Sequence, residues 1–280
     1  MSEICFVNNK FINRDQAFVH IDDRAFQFAD GIYEVILFNN GKLIDGVAHL
    51  DRLFKGLSKL NIKHNFLQDE ITANILELFA KNNMDNGFVY LQVTRGVAKR
   101  NQLIVEGISP TVTMTVDEHK KFSDEDFNRG VKIMSADDIR WHMVNIKTTA
   151  LLASAMTKQR AVDSGYDDAL FVRDGVVTEA TYANFFFVNE KGDLVTKKLD
   201  NLVLPGITRA RIIDLARKSD IGVVEEDFSL DEVFSGAKEA FLTSSTLLVR
   251  PVVQIDDRAV GDGKTGDVTR LVRDLYLEFI

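Results

Sequence analysis

Cysteine occurs once in the 280 residues, tryptophan once and proline three times. A lone Cys5 excludes an internal disulfide framework and any CxxC metal clip. With Pro110, Pro205 and Pro251 as the only prolines, and no low-complexity stretch, little of the chain is composed like a disordered segment. No apolar run approaches the roughly 18 residues that a membrane helix needs. The start, Met1-Ser2-Glu3-Ile4-Cys5, has no basic region followed by an apolar one, so no signal peptide is expected and a soluble cytoplasmic protein is the default. The five histidines (His20, His49, His64, His119 and His142) show no metal-ligand spacing, so no metal is expected. Phosphate loops of the GxGxxG or GxxxxGK type are missing as well. Positive charge is in deficit: 34 Lys and Arg against 42 Asp and Glu leave −8, which argues against a nucleic-acid partner.

What is there is ordinary globular material, 45% hydrophobic and 27% charged, long enough for two domains. Asn8-Asn9 and Asn40-Gly41 both carry hairpin signals, and the Asn-Gly pair suits a type I′ turn because both of its residues tolerate positive φ. Leu50, Leu53, Phe54, Leu57 and Leu60 recur at three and four, predicting an amphipathic helix. A second helix is expected over 69–81, and strands over 88–94 and 111–116. The charged run from Asp117 to Arg129 is the linker candidate. The expected division is an N-terminal α/β domain over 1–118, a linker over 119–127 and a C-terminal domain over 128–280. In the latter, strands are predicted over 131–134, 169–172, 184–188, 240–243 and 251–255, and helices over 148–162, 207–218 and 268–279.

Five short segments carry chemistry-bearing residues, each ambiguous alone. Lys147 precedes the helix predicted from Thr148, where the positive end of the dipole disfavours a cation by about 0.3–1 kcal/mol and so favours the nucleophilic amine. The plain alternative is an exposed loop lysine. Glu179 reads locally as a turn glutamate. Leu204-Pro205-Gly206-Ile207-Thr208 opens a helix whose N–H groups and Thr hydroxyl could bind an anion, or Thr208 could simply be a cap. Thr243-Ser244-Ser245-Thr246 could hold phosphate oxygens or cap a turn. Arg52 reads as a surface arginine.

In this order the segments resemble the fold-type IV pyridoxal-phosphate enzymes, a family that includes D-amino acid aminotransferases, branched-chain aminotransferases and aminodeoxychorismate lyases. The stretches closest to the D-amino acid aminotransferases are Asp23-Arg24-Ala25-Phe26-Gln27-Phe28-Ala29-Asp30-Gly31-Ile32-Tyr33-Glu34, Tyr90-Leu91-Gln92-Val93-Thr94-Arg95-Gly96, and Arg140-Trp141 ahead of Asn145-Ile146-Lys147.

The resemblance implies two α/β domains, the C-terminal one with a barrel-like sheet, and a homodimeric working unit. It implies pyridoxal 5′-phosphate held by Lys147 as a Schiff base, with Glu179 on the ring nitrogen and Leu204 against the ring. The phosphate would lie on Arg52, Ile207, Thr208, Ser244 and Ser245. Tyr33 would line the pocket for amino acids and 2-oxo acids, and the net reaction would be ping-pong amino transfer.

One departure stands out. The family's D-enzymes hold the substrate carboxylate with an arginine and a histidine two residues later. Here Arg100 is kept and Gln102 replaces the histidine, which still offers N–H donors but no positive charge. Arg250 is either a second carboxylate anchor or a strand-end surface charge. Alternatives inside the family are a branched-chain L-amino acid aminotransferase and an aminodeoxychorismate lyase. Outside it stands a binding protein that keeps the cofactor without turnover.

Overall fold

The computed structural model describes residues 3–104, 106–119 and 122–280. The chain divides into two compact units, Met1–Lys120 with Ile146–Ala150, and Lys121–Asn145 with Leu151–Ile280.

The first unit contains β1 (Ile4–Val7), β2 (Lys10–Asn13), α1 (Arg24–Phe28), β3 (Gly31–Asn39), β4 (Lys42–Leu43), α2 (Gly46–Lys59), α3 (Gln68–Lys81), β5 (Gly87–Thr94) and β6 (Thr111–Asp117). The strands form an antiparallel sheet in the order β2-β1-β6-β5-β3-β4. Both predicted hairpins close as their sequences dictate: Asn8 and Asn9 have φ of 47° and 65°, Asn40 and Gly41 of 49° and 78°. Leu50, Leu53 and Leu57 of α2 and Ile71, Ile75 and Leu78 of α3 share one core with Ile36, Val89, Leu91, Val93 and Met114 of the sheet. Alternation along β5, where Val89, Leu91 and Val93 are buried and Tyr90 and Gln92 only partly so, gives this sheet one helix-covered face.

The second unit contains α4 (Asp124–Arg129), β7 (Val131–Asp137), α5 (Leu152–Asp163), β8 (Asp168–Arg173), β9 (Val176–Ala180), β10 (Asn184–Val188), β11 (Leu194–Lys197), α6 (Ile207–Lys218), β12 (Val223–Glu226), α7 (Leu230–Gly236), β13 (Glu239–Ser244), β14 (Leu248–Ile255), β15 (Arg258–Ala259) and α8 (Asp267–Phe279). Its mixed sheet runs β12-β11-β10-β13-β14-β7-β8-β9 and curls as a half-barrel. Every residue of β10 is buried because both faces are covered. Phe185 and Phe187 join the cluster of Ile133, Leu170, Leu242 and Val252, whereas Phe186 and Val188 pack with Ile212, Ile213, Val272 and Tyr276 of α6 and α8.

Two expectations change. The helix predicted from Thr148 begins at Leu152, because residues 146–149 are held in extended contact with β3 instead: Thr148 bridges Ile32, and Thr149 N–H donates to the Gly31 carbonyl. Within the stretch read as linker, Ser123 accepts from Asp126 N–H and caps α4, so the charge run Asp124-Glu125-Asp126 is a first helical turn favoured by the dipole. No helix among the described residues is long and apolar enough to cross a membrane.

Candidate active site

In the first unit the chemistry collects on β3, α2 and the returning segment 146–150. Tyr33 N–H donates to the Lys147 carbonyl at 3.0 Å, and Thr149 Oγ1 donates to the Ala29 carbonyl. The Lys147 backbone is thereby stitched along β3. Its Nζ lies 4.1 Å from the centre of the Tyr33 ring, which itself stacks on Tyr90 at 5.5 Å. Burial first, then the neighbouring Tyr33, pushes the Tyr90 hydroxyl up to about 12. With α5 starting at Leu152, the helix dipole is not what acts on Lys147; a partly buried position over an aromatic ring is.

One residue along, Glu34 points to the opposite face of β3 and is fully buried. Arg52 from α2 grips it bidentately, Nε to Oε1 and Nη2 to Oε2, both at 2.7 Å, and His49 Nδ1 stands 2.8 Å from Oε2. Burial alone would raise the Glu34 carboxyl, but the charge and hydrogen bonds of Arg52, with His49, hold it at about 2. His49 is lowered: burial dominates, and the charges of Arg52 and Lys147 add to it against the pull of Glu34. Arg52 is thus no surface arginine. Sequence could not show this, because its partner lies on a strand and its burial comes from the packing of α2 on β3.

The carboxylate-binding pair expected from sequence lies on an exposed loop. Arg100 and Gln102 are exposed, and the Arg100 guanidinium sits 5.3 Å over the Phe28 ring. Arg24, which sequence reasoning gave no role, braces this loop. It pairs with Asp30 at 2.8 Å and donates to the Asn101 carbonyl at 2.7 Å.

In the second unit the centre is Glu179, on β9 and not in a turn, 5% exposed. Arg140 Nη1 donates to its Oε1 at 2.6 Å, Asn184 Nδ2 to Oε2 at 3.1 Å, and Leu204 N–H to both oxygens at 3.2 Å. Asn184 Nδ2 also reaches the Leu204 carbonyl at 2.9 Å, tying the loop before α6 to β10. Gly206 makes that approach possible, since a Cβ there would stand 1.9 Å from Asn184 Oδ1. Behind Glu179, Asp138 takes two donors of Arg140, Nε at 2.8 Å and Nη2 at 2.9 Å. Burial opposes the ionised form of Asp138, but Arg140 and then Arg173 hold its carboxyl below the usual range.

Gly206 precedes α6 without any side-chain cap, leaving the amides of Ile207 and Thr208 at an uncapped helix start, with Thr208 buried. Ser244 ends β13 and Ser245 opens the three-residue turn to Leu248. Ser244 Oγ accepts from Leu247 N–H at 3.2 Å and lies 3.4 Å from Thr246 Oγ1. Thr243, paired with Asn184 across the strands, has a buried hydroxyl with no hydrogen-bond partner among the described residues.

Of the two readings that sequence offers for Arg250, the strand-end surface charge is corrected by the structure. Arg250 is 5% exposed, so it is no surface charge. Its pairing with Leu242 puts it on the sheet face opposite Thr243 and Asn184. There its guanidinium lies 4.5 Å over Phe122. His142 is exposed on the loop before Lys147. The residues that sequence reasoning missed are Arg140, Asn184, Glu34 and His49. Arg140 lies in the quoted stretch ahead of Lys147 and Asn184 opens a predicted strand, but their pairing on Glu179 needs β7, β9 and β10 in place.

Comparison with known proteins shows the family. The amino-transferase class IV family profile matches residues 31–255. The D-alanine aminotransferase of Listeria monocytogenes serotype 4b (strain F2365) is 36% identical, over 98% of this chain and 95% of that one. That of Bacillus licheniformis is also 36% identical, over 95% and 93%. Among solved structures, the Escherichia coli branched-chain amino acid aminotransferase superposes with a TM-score of 0.92 at 21% identity, covering 99% of this chain and 94% of that one. The branched-chain enzyme of Thermoproteus uzoniensis with norvaline gives 0.90 at 22%, with the same coverage. At such identity these two speak for the fold. The chain belongs to the amino-transferase class IV family of fold-type IV, pyridoxal 5′-phosphate-dependent enzymes.

Proposed function

We propose that the protein moves the amino group of a D-amino acid, D-alanine and D-glutamate foremost, to a 2-oxo acid. Full-length similarity to D-alanine aminotransferases at 36% identity is the observation that carries the substrate class. The likeness to branched-chain enzymes lies below 25% identity and carries no substrate.

The residues fit a phosphorylated pyridine. The uncapped amides of Ile207 and Thr208 suit a phosphate at a helix start, and Glu179, held by Arg140, Asn184 and Leu204, suits a ring nitrogen that bears a proton. In this reading Arg52, Ile207, Thr208, Ser244 and Ser245 hold the phosphate, and Leu204 packs on the ring. When bound, the protonated ring supplies the electron sink for the carbanion formed at the substrate Cα. Lys147 would be the residue to which the cofactor is joined, and its free amine Nζ would be the base that takes the substrate α-proton. Tyr33, directly under that Nζ, lines the path of the amine. Arg100 and Gln102 receive the substrate carboxylate, one with charge and the other with an amide N–H.

The first unit serves as the N-terminal domain, completed by residues 146–150, and the second as the C-terminal domain. The working form is a cytoplasmic homodimer. Support for the second copy comes from apolar side chains left bare in the first unit, Phe18 at 79%, Ile21 at 73%, Phe26 at 78% and Leu103 at 73% exposure.

The test is the visible absorption of the purified holoenzyme before and after D-alanine or L-leucine. Bleaching with D-alanine alone is expected, and Lys147→Ala should not turn over. Bleaching with L-leucine alone would move the protein to branched-chain substrates. No band after addition of the cofactor would sink the assignment.

A further inference from the structure

We propose that Arg140 is a positioning residue that fixes the charge of Glu179 and thereby keeps the shared proton on the cofactor's ring nitrogen. The inference rests on the role given to Glu179 above.

The geometry is specific. The guanidinium offers Nε and Nη2 to Asp138 and turns the remaining arm, Nη1, onto Glu179 Oε1 at 2.6 Å. It is locked from every side that the unit presents. Its Cζ lies 4.4 Å over the Phe171 ring of β8, and Thr178 Oγ1 of β9 stands 3.3 Å from Nη2. Arg173 Nη2 holds the Arg140 carbonyl at 2.7 Å and the Asp138 carbonyl at 2.9 Å. Arg173 also pairs with Asp138 Oδ1 at 3.1 Å. A side chain needed only to neutralise Asp138 would not require one donor to be aimed at a second carboxylate, because Arg173 already stands beside Asp138.

The charges make the consequence plain. Asp138 and Glu179 are balanced by Arg140 and Arg173. Two further donors to Glu179, Asn184 Nδ2 and Leu204 N–H, are neutral. A carboxyl that is 5% exposed, with neutral donors alone, is pushed toward its protonated form by burial. An arginine at hydrogen-bond distance reverses that preference. Arg140 itself stays charged: burial works against its cation, but Asp138 and Glu179 more than offset this and raise it. In a hydrogen bond between a carboxylate and a ring nitrogen, the proton rests on the partner that binds it more strongly. Weakening the hold of Glu179 leaves it on the ring, where the electron sink needs it.

The holoenzyme tests this by the pH midpoint of its visible band, which follows the protonation of the bound cofactor. Arg140→Met should move the midpoint by about one unit or more, in the same direction as Glu179→Gln. It should lower kcat while leaving KM for D-alanine nearly unchanged, and Arg140→Lys should recover most of the shift. The double variant should move no further than Glu179→Gln alone, since Arg140 acts through that carboxylate. Asp138→Asn frees Arg140 to give more to Glu179 and should move the midpoint the opposite way, which keeps a test in hand if Arg140→Met folds poorly. A wild-type midpoint in Arg140→Met, additive shifts in the double variant, or an Asp138→Asn shift that is absent or matches that of Arg140→Met overturns the proposal. A wild-type midpoint in Glu179→Gln overturns the role of Glu179 itself, and is thereby told apart from failure of Arg140.

Discussion

Each unit buries one glutamate against one arginine, and the two pairs are built differently. Glu34 is consumed by its partners: Arg52 closes on both of its oxygens, His49 adds a third contact, and none of its surface meets solvent. Glu179 receives one arm of Arg140, whose Nε and Nη2 go to Asp138, and it also takes the neutral donors of Asn184 and Leu204. The first arrangement uses a carboxylate to hold a helix to a strand. The second keeps a carboxylate charged without chelating it. A buried acid–base pair is therefore not in itself a catalytic signature; what counts is how much of the carboxylate its arginine takes.

The largest effect should come from removing the chelated acid. Glu34→Gln leaves Arg52 without its counter-charge and should cost about 3 kcal/mol or more in chemical denaturation. Glu179→Gln, with Arg140 still anchored on Asp138, should stay within about 1 kcal/mol of wild type while activity falls. Equal losses would erase the distinction.

Acid unfolding sharpens it. The Glu34 carboxyl is lowered from 4.5 to about 2, so its contribution is fully present above pH 4.5 and is lost as pH falls towards 2. Over that span it amounts to about 3 kcal/mol. His49, lowered from 6.5, adds stability that is present above pH 6.5 and fades as pH drops below it. Denaturation midpoints measured from pH 7.5 to 2.5 should fall in both ranges, and Glu34→Gln should flatten the lower one. The smallest effect concerns substrate. Gln102→His should lower KM for D-alanine a few-fold, on the order of one charge-assisted hydrogen bond. An unchanged or higher KM would mean that this exposed loop does not place residue 102 at the carboxylate.

Local rules carried much of the fold into the sequence. Asn40-Gly41 announces its turn because few residues accept two successive positive φ values, and the spacing of Leu50, Leu53 and Leu57 announces α2 because only a helix brings them together. Lys147 and Glu179 were visible through the order of their motifs, not through their surroundings. What stayed hidden was made by pairing at a distance. Thr148 joins Ile32 instead of starting a helix, Arg52 finds Glu34 on a strand, and Arg140 reaches Glu179 only after β9 and β10 have formed. None of these has a period or a cap that a one-dimensional reading detects.

The return of residues 146–150 to the first unit also sets an order of assembly. Ala29, Gly31, Ile32 and Tyr33 emerge early in synthesis, but their partners Lys147, Thr148 and Thr149 are made only after the whole of β7. The first unit is thus unfinished until translation is well into the second, and the last piece to complete its edge is the one that carries the reactive amine.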